Sequence, residues 1–559
     1  MLNKLISESR FSEARSTIDQ KRSGFDLSHG HTMSMNAGKL YPFFFREVLP
    51  GDTFDLKDAF VNRMSTPVVP VMDTALFDRW YFYIPYRLVW EHTKEFYGEN
   101  NTSAWTPARE YYMPGLTSDA TGFKSDGVAD HFGIPTLCPN LKVNALPFRG
   151  YRLIWNEFFR DQNTQDPKLV NMGDVESNLD LDELLPVNKR KDYFTTCLPA
   201  PQKGPDVLLP LTGLVPLTTG PDFYSDSWFN YSLPSIKFAG GQSAQYSGSF
   251  PLRVVPEQAQ SADDSTLYRG YVDGSGYNAE FDSSSDYGLQ YANSYADLSS
   301  TKAGATINAL RQAFAVQALY ELDARGGSRY REFLRAHFGV NVPDLTVQVP
   351  EFLGGQSTPL NMNQVVQTSA TGAGETPQGN VAAFSKTVGT SASFTKSFAE
   401  PGMVIGVCAV RTLHTYQQGL EAFWSRFERL DFYHPILDGL GEMPVYNREI
   451  YAYGNDRDEV FGYQEAWGSY RYAQNYVSGA FRSNYPGGSL IYWTYADVYD
   501  STPRLSGDWV AETDDNVART LATTDMEGAP QFLVDIWFDF KAYRPMSAHP
   551  TPAMLGGRQ

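Results

Sequence analysis

Three runs of apolar residues near the start of the chain predict β-strands. They cover 40–48 (LYPFFFREV), 52–64 (DTFDLKDAFVNRM) and 75–84 (ALFDRWYFYI), and Pro-Gly or proline-rich breaks separate them. Runs of this length that are rich in aromatic residues and bounded by proline and glycine are typical of strands joined by turns. We therefore predict that the N-terminal part of the chain is rich in β-structure.

The third run is largely apolar on both of its faces. Because successive side chains of a strand point to opposite faces, Trp80, Phe82 and Ile84 share one face. The other face carries Phe77, Arg79, Tyr81 and Tyr83. We expect the first set to fill the interior of a sandwich. Tyr81 and Tyr83 would then meet either covering segments of the same chain or a neighbouring copy.

Two further strands are predicted late in the chain, over 402–416 and 531–545. In the second, Phe532, Val534, Ile536, Phe538 and Phe540 alternate with more polar residues, which is typical of an antiparallel strand with one buried face. Strands at both ends of a chain with long excursions between them favour a β-sandwich in which the two ends meet in one domain.

Apolar residues recur at helical spacing in three segments, 148–161, 306–327 and 328–339. Gly326 is placed to end the second helix, and Ser328 is placed as the N-cap of the third. We predict helices that pack on a sheet, because a cofactor-binding site is the less common use of such stripes.

Composition and charge narrow the class of protein. Of 559 residues 14% are aromatic and only 20% charged, which suits half-buried β-surface better than a helical bundle. The net charge of −18 opposes unaided binding of nucleic acid. Cys138, Cys197 and Cys408 are far apart in the sequence and are expected to be buried free thiols. No secretory signal and no apolar run long enough to span a membrane is recognisable, so we expect a soluble protein or part of a soluble assembly.

Two segments differ from the rest. Residues 1–24 carry five basic and three acidic residues and are predicted to form a mobile arm or a short helix. Residues 216–304 are rich in serine, glycine and tyrosine, and 220–300 hold three basic against ten acidic residues. We interpret 216–304 as a solvent-facing insertion with modest β-content. It could be an adaptable contact surface or simply an acidic, solvated loop region.

No motif for catalysis or cofactor binding is recognisable. The chain lacks a P-loop, a Gly-x-Gly-x-x-Gly that opens a helix, His-Glu-x-x-His and Gly-x-Ser-x-Gly. His29 and His31 would share a strand face, but no later acid or histidine has the spacing of a metal site, so a loop is the expectation there.

Arg325, Arg329, Arg331 and Arg335 form the densest basic patch. It is either a nucleic-acid face or a helix whose arginines pair with acids. We predict no catalytic residue, no metal and no cofactor.

Five blocks in collinear order resemble one protein family. They lie at 38–90, 154–163, 190–211, 324–369 and 415–451, and include ARGGSRYREFLRAHFGVNVPDL and TYQQGLEAFWSRFERLDFYHPILDGLGEMPVYNREIY. The blocks resemble the major capsid proteins of gokushovirus-type microviruses (Microviridae), which are small single-stranded DNA bacteriophages. The resemblance covers nearly the whole chain except about 216–304 and the first twenty or so residues.

The resemblance implies a mainly β fold, an eight-stranded antiparallel jelly roll (a β-sandwich) with long inter-strand loops, a few helices and a large surface insertion. Its parts would be an interior N-terminal arm (1–30), the first part of the capsid domain (31–215), a variable insertion that builds three-fold protrusions (216–304) and the second part of the capsid domain (305–559). Copies would assemble into a T=1 icosahedral shell around a circular single-stranded DNA genome.

The same resemblance implies partners and a location. We expect five-, three- and two-fold contacts between copies, a small basic internal DNA-binding protein, mostly indirect contact with the genome, and a host receptor bound through the insertion. The protein would be part of the virion, assembled in the bacterial cytoplasm. Host-contact candidates are Tyr268, Tyr271, Tyr277, Tyr287, Tyr291 and Tyr295. Genome-facing candidates are Lys4, Arg10, Arg15, Lys21 and Arg22. The alternative class, an enzyme or lectin on a β-sandwich, would need a localised carboxylate pair or metal cluster.

Overall fold

The computed structural model describes residues 22–100, 110–205, 207, 217–219, 270–273, 276–279, 294–296, 307–366, 368, 381–522 and 529–549. The chain divides into two compact units. One comprises Met1–Pro205 with Ala318–Gln559, and the other is Asp206–Gln317.

Most of the described elements are strands, so the predicted β-rich fold is confirmed. The first eleven are β1 Ser23–Asp26, β2 His29–Met35, β3 Tyr41–Val48, β4 Thr53–Met64, β5 Ala75–Pro85, β6 Gly115–Thr117, β7 Lys142–Asn144, β8 Leu217–Thr219, β9 Gly270–Asp273, β10 Gly276–Ala279 and β11 Ser294–Ala296. The others are β12 Glu351–Pro359, β13 Met362–Val366, β14 Val381–Ser385, β15 Thr387–Ser397, β16 Gly402–Thr412, β17 Glu442–Tyr446, β18 Val460–Glu465 and β19 Phe532–Arg544.

The helices of the described residues are mostly short. They are α1 Thr93–Phe96, α2 Val128–His131, α3 Leu146–Ile154, α4 Ile307–Gly326, α5 Tyr330–Phe338, α6 Gly507–Val510 and α7 Asp515–Ala518. A π-helical turn, Trp155–Phe159, continues α3. Turns of 3₁₀-helix lie at Tyr86–Leu88, Leu179–Asp182, Ala422–Ser425, Arg429–Asp431, Pro435–Leu437, Asn447–Glu449, Gly468–Tyr470, Gly479–Phe481 and Ile491–Trp493.

Two antiparallel sheets form the centre of the first unit. In one sheet β19 lies between β4 and the first two strands, since both β1 and β2 pair with it, and β15 is the neighbour of β4 on the far side. The second sheet has the order β12-β5-β16-β3. The first and last described strands are therefore neighbours, which confirms that strands from early and late in the chain meet in one domain. The predicted alternation of β19 is also confirmed.

Aromatic side chains from the two sheets pack against each other. The rings of Phe60 and Phe77 lie 5.0 Å apart between centroids, and those of Phe44 and Phe538 also lie 5.0 Å apart. All four side chains are buried. This shared core makes the pair of sheets a β-sandwich. Apolar area that two sheets remove from water together is the main favourable contribution to such a fold.

The predicted assignment of the two faces of β5 is wrong. The hydroxyl of Tyr81 donates to Asp58 of β4 at 2.9 Å, so Tyr81 and its neighbour Arg79 face the other sheet. Phe82 and Trp80 instead contact Phe158 and Phe159, at 4.6 and 4.9 Å between ring centroids. These two rings, with Ile84 beside Gly150, cover the outer face of the sheet beneath α3 and its π-helical turn.

The physical reason is that an ion pair allows polar side chains to occupy the interior of the sandwich. Arg79 and Asp58 satisfy each other there, whereas the more apolar face of the strand is needed for helix packing. Both faces are covered, as predicted. The rings of Tyr81 and Tyr83 contact Phe394 and Phe398 of the same chain rather than a neighbouring copy.

The three predicted helices are present as α3 with its turn, α4 and α5, and α4 ends at Gly326 as expected. Two details differ. The N-cap of α5 is Arg329, not Ser328, and its backbone N–H donates to the Glu332 carboxylate. The expected packing on a sheet is confirmed for α3 and its turn but is wrong for the other two helices, because α5 has no buried residue and α4 buries only Ala324 among its described side chains.

The second unit contains short strands. β8 pairs with β11, and β9 pairs with β10, both antiparallel.

Candidate functional site

A cleft of about 770 Å³ in the first unit collects charged side chains from distant parts of the sequence. Seven basic residues line it: Arg160, Lys189, Lys191, Arg325, Arg329, Arg335 and Arg411. Four acidic residues line it as well: Asp161, Glu332, Glu442 and Glu465. A local excess of cations is unusual in a chain of net charge −18 and makes the cleft the candidate site for an anionic group.

The start of α5 fixes one wall of the cleft. The guanidinium of Arg329 donates to the backbone carbonyls of Asn156 and Arg160, at 2.7 and 3.0 Å. These bonds give a hydrogen-bond donor to carbonyl groups near the end of the π-helical turn. The Glu332 carboxylate accepts from the backbone of Arg329 and from the amide of Gln162. Gly327 has a φ of 92°, a backbone conformation that residues with a Cβ rarely adopt, so the turn before α5 favours glycine.

Three of the four arginines of the predicted basic patch are already engaged. Arg325 pairs with Glu442, Arg329 pairs with Glu332, and Arg331 donates to the Glu157 carbonyl at 3.0 Å while its guanidinium lies 4.4 Å from the Phe158 ring. Arg335 is exposed, and within the described ranges its guanidinium makes no hydrogen bond or ion pair. The arrangement favours the structural alternative, in which the arginines pair with acids, over a free nucleic-acid face.

Two groups in the cleft show how burial changes its chemistry. Burial lowers the pKa of Arg329, while the nearby Glu332 and Glu157 oppose that effect. Burial raises the pKa of the Cys197 thiol well above its usual range, with Glu449 and Asp192 acting in the same direction. A thiol that stays protonated is a poor nucleophile. The cleft therefore offers charge and hydrogen bonds, which are features of binding.

The paired histidines belong to a strand. His29 begins β2, which corrects the expectation of a loop, because the segment pairs with β19. The Nδ1–H of His29 donates to the Leu27 carbonyl, and that of His31 donates to the Phe43 carbonyl, both at 2.8 Å. Over the residues that the structure describes, no group of three or more His, Cys, Asp or Glu side chains could hold a metal ion.

The predicted contact residues fall mainly outside the described ranges. Among the host-contact candidates, Tyr268, Tyr287 and Tyr291 lie outside them, whereas Tyr271, Tyr277 and Tyr295 belong to β9, β10 and β11. Among the genome-facing candidates, Lys4, Arg10, Arg15 and Lys21 lie outside them. Arg22 is exposed, and its guanidinium donates to the Thr53 hydroxyl at 2.7 Å and to the Tyr543 carbonyl at 3.3 Å.

The three cysteines are all free, as predicted, but only two of them are buried. Cys197 and Cys408 are buried, whereas Cys138 is exposed. The prediction for Cys138 is wrong because residue type alone cannot distinguish a surface turn from a core position. In the described part of the chain, no helix is long and apolar enough to cross a membrane.

Comparison with known proteins defines the class: the chain is a bacteriophage capsid protein. It belongs to the family described as "Capsid protein (F protein)", whose sequence model matches residues 14–554. The chain is 39% identical to Capsid protein VP1 of Bdellovibrio phage phiMH2K over 557 residues, which is 97% of each chain. It is 36% identical to Capsid protein VP1 of Chlamydia phage 1 over 601 residues, or 98% of each, and 38% identical to that of Spiroplasma virus 4 over 549 residues, or 95% of each.

These findings confirm the resemblance on which the prediction rested. The protein is a virion component, and the family indicates a structural role rather than catalysis. A capsid protein acts by association of many copies, so its functional surfaces include those that meet other copies. The sequence patterns did not single out the exposed aromatic side chains that follow β16, such as Phe423, Trp424 and Phe427.

Proposed function

We propose that the protein is the shell-forming subunit of a T=1 icosahedral capsid that encloses a circular single-stranded DNA genome. The observation that carries the proposal is the likeness to three phage capsid proteins over at least 95% of the chain. The two-sheet sandwich supports it, because a rigid sandwich with long loops provides several independent faces for contacts between copies.

We further infer that the two sheets form an eight-stranded jelly roll. If β1 and β2 count as one interrupted strand, the eight strands are that strand, β3, β4, β5, β12, β15, β16 and β19. In this numbering the sheet orders are 1-8-3-6 and 5-4-7-2. Each sheet thus alternates early and late strands, as expected where paired strands roll up together into two Greek keys.

The charge of the protein supports an indirect contact with the genome. At −18 the subunit cannot neutralise packaged DNA, so a small basic internal protein would supply the cations. Arg325, Arg329 and Arg331 have partners within the chain, which leaves few cations of the basic patch free to meet a phosphate. The arm of residues 1–30 would face the interior, where its basic residues could add to this neutralisation.

Electron microscopy of purified particles tests the proposed shell. We expect closed shells with knobs at the three-fold axes and a copy number, obtained from particle mass, that corresponds to T=1. Protein that stays monomeric under every condition tried would contradict the proposal and would reopen the alternative of an enzyme or lectin.

The insertion of residues 216–304 is proposed to form the three-fold protrusions and to meet the host receptor. Replacing 220–300 by a short linker should leave particles that assemble but no longer adsorb to host cells, because the shell contacts reside in the sandwich unit. Adsorption would be measured as loss of infectious or labelled particles from the supernatant. Normal adsorption would contradict the proposal, and failure to assemble would assign the insertion to three-fold contacts instead.

A further inference from the structure

The segment of residues 418–440, called here the aromatic segment, lies between β16 and β17 and has no buried residue, although all of it is described. It contains three 3₁₀ turns, Ala422–Ser425, Arg429–Asp431 and Pro435–Leu437. Nine of its large apolar side chains are exposed in the single chain: Leu420, Phe423, Trp424, Phe427, Leu430, Phe432, Tyr433, Ile436 and Leu440. A solvated loop of a monomer would not normally expose so many.

The extent of this exposure is large enough to matter. Phe427 is 86% exposed and Ile436 is 91% exposed. Five of the nine side chains are aromatic, with about 150–250 Å² each when fully exposed, and four are leucine or isoleucine. Scaled by their exposed fractions, the nine together present on the order of 1,000 Å². A stable interface between proteins takes about 800 Å² from each partner. The aromatic segment alone therefore approaches the area that one stable contact needs.

The segment is held in one shape by the chain on which it lies. The indole N–H of Trp467 donates to the Leu437 carbonyl at 3.0 Å, and the ring of Tyr433 lies 5.7 Å from that of Trp467 between centroids. The guanidinium of Arg426 donates to the Ser469 hydroxyl at 2.6 Å and lies 4.0 Å from the centre of the Tyr470 ring. These contacts fasten the inner side of the segment.

The middle turn is fixed from within. The Asp431 carboxylate accepts hydrogen bonds from the backbone N–H groups of Glu428 and Phe427, at 2.8 and 2.9 Å. Those two bonds, in that order, lower the pKa of Asp431. Phe427 therefore projects from a braced turn. A surface that is already in its bound shape loses less conformational entropy when a partner covers it.

The composition of the aromatic segment shares two features with protein interfaces. It holds five aromatic residues and two arginines, Arg426 and Arg429, which are enriched at interfaces, and it contains no lysine, which is depleted there. Its four acidic residues do not follow this trend, although one of them, Asp431, is used to brace the middle turn. The inner side of the segment contacts Trp467, which is buried. Its outer side, which carries the exposed apolar side chains, is not covered by any described part of the chain.

We propose that the aromatic segment buries its exposed side chains against a second copy of this chain, and that Phe427 and Ile436 are the central anchors of that contact. The inference rests on the proposed function, in which copies of the chain surround one another. Beyond that function, the inference identifies the surface that makes one contact between copies and the residues that stabilise it. Truncation of such anchors typically costs far more affinity than truncation of the rim around them.

The test replaces both anchors in the full chain, Phe427→Ser with Ile436→Ser, in phage grown in its host. We expect at least a tenfold loss of sedimenting particles and an accumulation of free subunits whose melting temperature stays near that of wild-type subunits. Both side chains are so exposed that their loss costs the single chain little. The matched control is Leu169→Ser with Val175→Ser, which removes two side chains that are 76% and 75% exposed elsewhere. We expect it to assemble.

A labelling measurement tests the same contact without disrupting it. In a Cys138→Ser background, which removes the exposed native thiol, Leu430→Cys keeps both anchors and should react with a maleimide at least tenfold more slowly in particles than in dissociated subunits. Particles at wild-type yield from the double serine variant, or equal labelling in particles and subunits, would overturn the inference while leaving the proposed shell intact. If wild-type protein forms no particles, the proposed function itself fails.

Discussion

Replacing Arg79 by methionine is expected to lower the free energy of unfolding of the subunit by about 3–5 kcal/mol. Arg79 and Asp58 are fully buried between the two sheets, and their Nη1 and Oδ1 atoms lie 2.5 Å apart. Methionine fills much of the space left by the arginine stem. It leaves the Asp58 carboxylate charged and without its counter-ion in the interior, which is the costly part of the change.

The surroundings of Asp58 explain why it cannot simply be rehydrated. Its two oxygens also accept from the Tyr81 hydroxyl at 2.9 Å and from the Ala392 backbone N–H at 3.0 Å. The guanidinium of Arg79 lies 4.2 Å from the centre of the Phe60 ring. Strands of both sheets thus meet at this carboxylate, which ties their register together in addition to the apolar packing.

Urea denaturation of purified subunits, followed by tryptophan fluorescence, measures the effect. The matched variant combines Arg79→Met with Asp58→Asn, which removes the buried charge and keeps one oxygen to accept from the Ala392 N–H. Its amide N–H then faces the Tyr81 hydroxyl, whose oxygen can accept it. We expect this double variant to be more stable than Arg79→Met alone. A single variant as stable as the wild type would show that the buried pair does not stabilise the sandwich.

The same pair shows what alternation could predict. The positions of β3, β4, β5, β16 and β19 follow from runs of apolar residues, and the structure places strands there. Which face of β5 lies between the two sheets does not follow from these runs, because hydrophobicity alone assigns Trp80, Phe82 and Ile84 to the interior. Arg79 is acceptable inside only because Asp58 from another strand meets it. Such a partner is a product of the fold and has no local signal in the sequence.

The basic patch and the aromatic segment could also be predicted only in part. The arginines near 325–335 were recognisable as a basic patch, but the carbonyls of Asn156, Glu157 and Arg160 that engage them lie far away in the chain. The aromatic segment was recognisable only as part of a family block. Helical or strand periodicity is absent there, since its side chains are arranged by 3₁₀ turns and by Trp467. The exposure of its apolar side chains depends on how the rest of the chain folds, so the sequence pattern could not indicate it.

His414 is a second buried charged group with partners that no local pattern indicates. Its Nδ1 lies 2.9 Å from Asp497 Oδ2, and its Nε2 lies 2.8 Å from Glu512 Oε2. Both partners can only accept when ionised, so both ring nitrogens carry protons and the ring is an imidazolium. Although burial opposes protonation, Asp497 and Glu512 raise the pKa of His414 to about 10.

Around this triad, further contacts keep the carboxylates in place. The Thr412 hydroxyl donates to Glu512 at 2.7 Å, and the Asn516 amide donates to Asp497 at 3.0 Å. Burial also opposes ionisation of Asp497, but His414 holds the pKa of that carboxyl below its usual range. The end of β16 is thereby fastened to the segments at 497 and 512–516 by charge.

We therefore expect subunit stability to fall as the pH rises through about 10. Histidine in the unfolded chain has a pKa of about 6.5, so below that pH both states bind the proton and the stabilisation is complete. Between about 6.5 and 10 only the folded state keeps the proton, and the free energy of unfolding should fall by about 1.4 kcal/mol per pH unit. Above that range this contribution is lost.

Urea denaturation at pH 6 to 10 of the wild type and of His414→Gln would test this expectation. Glutamine cannot bind the proton, so we expect it to lose about 3–5 kcal/mol at pH 6, where the triad is complete, and to show a much flatter pH dependence. Thr412→Val serves as the control, because it removes one hydrogen bond to Glu512, about 1 kcal/mol, without removing the titrating group. It should keep the wild-type slope. Equal slopes for wild type and His414→Gln would assign the alkaline loss to other groups.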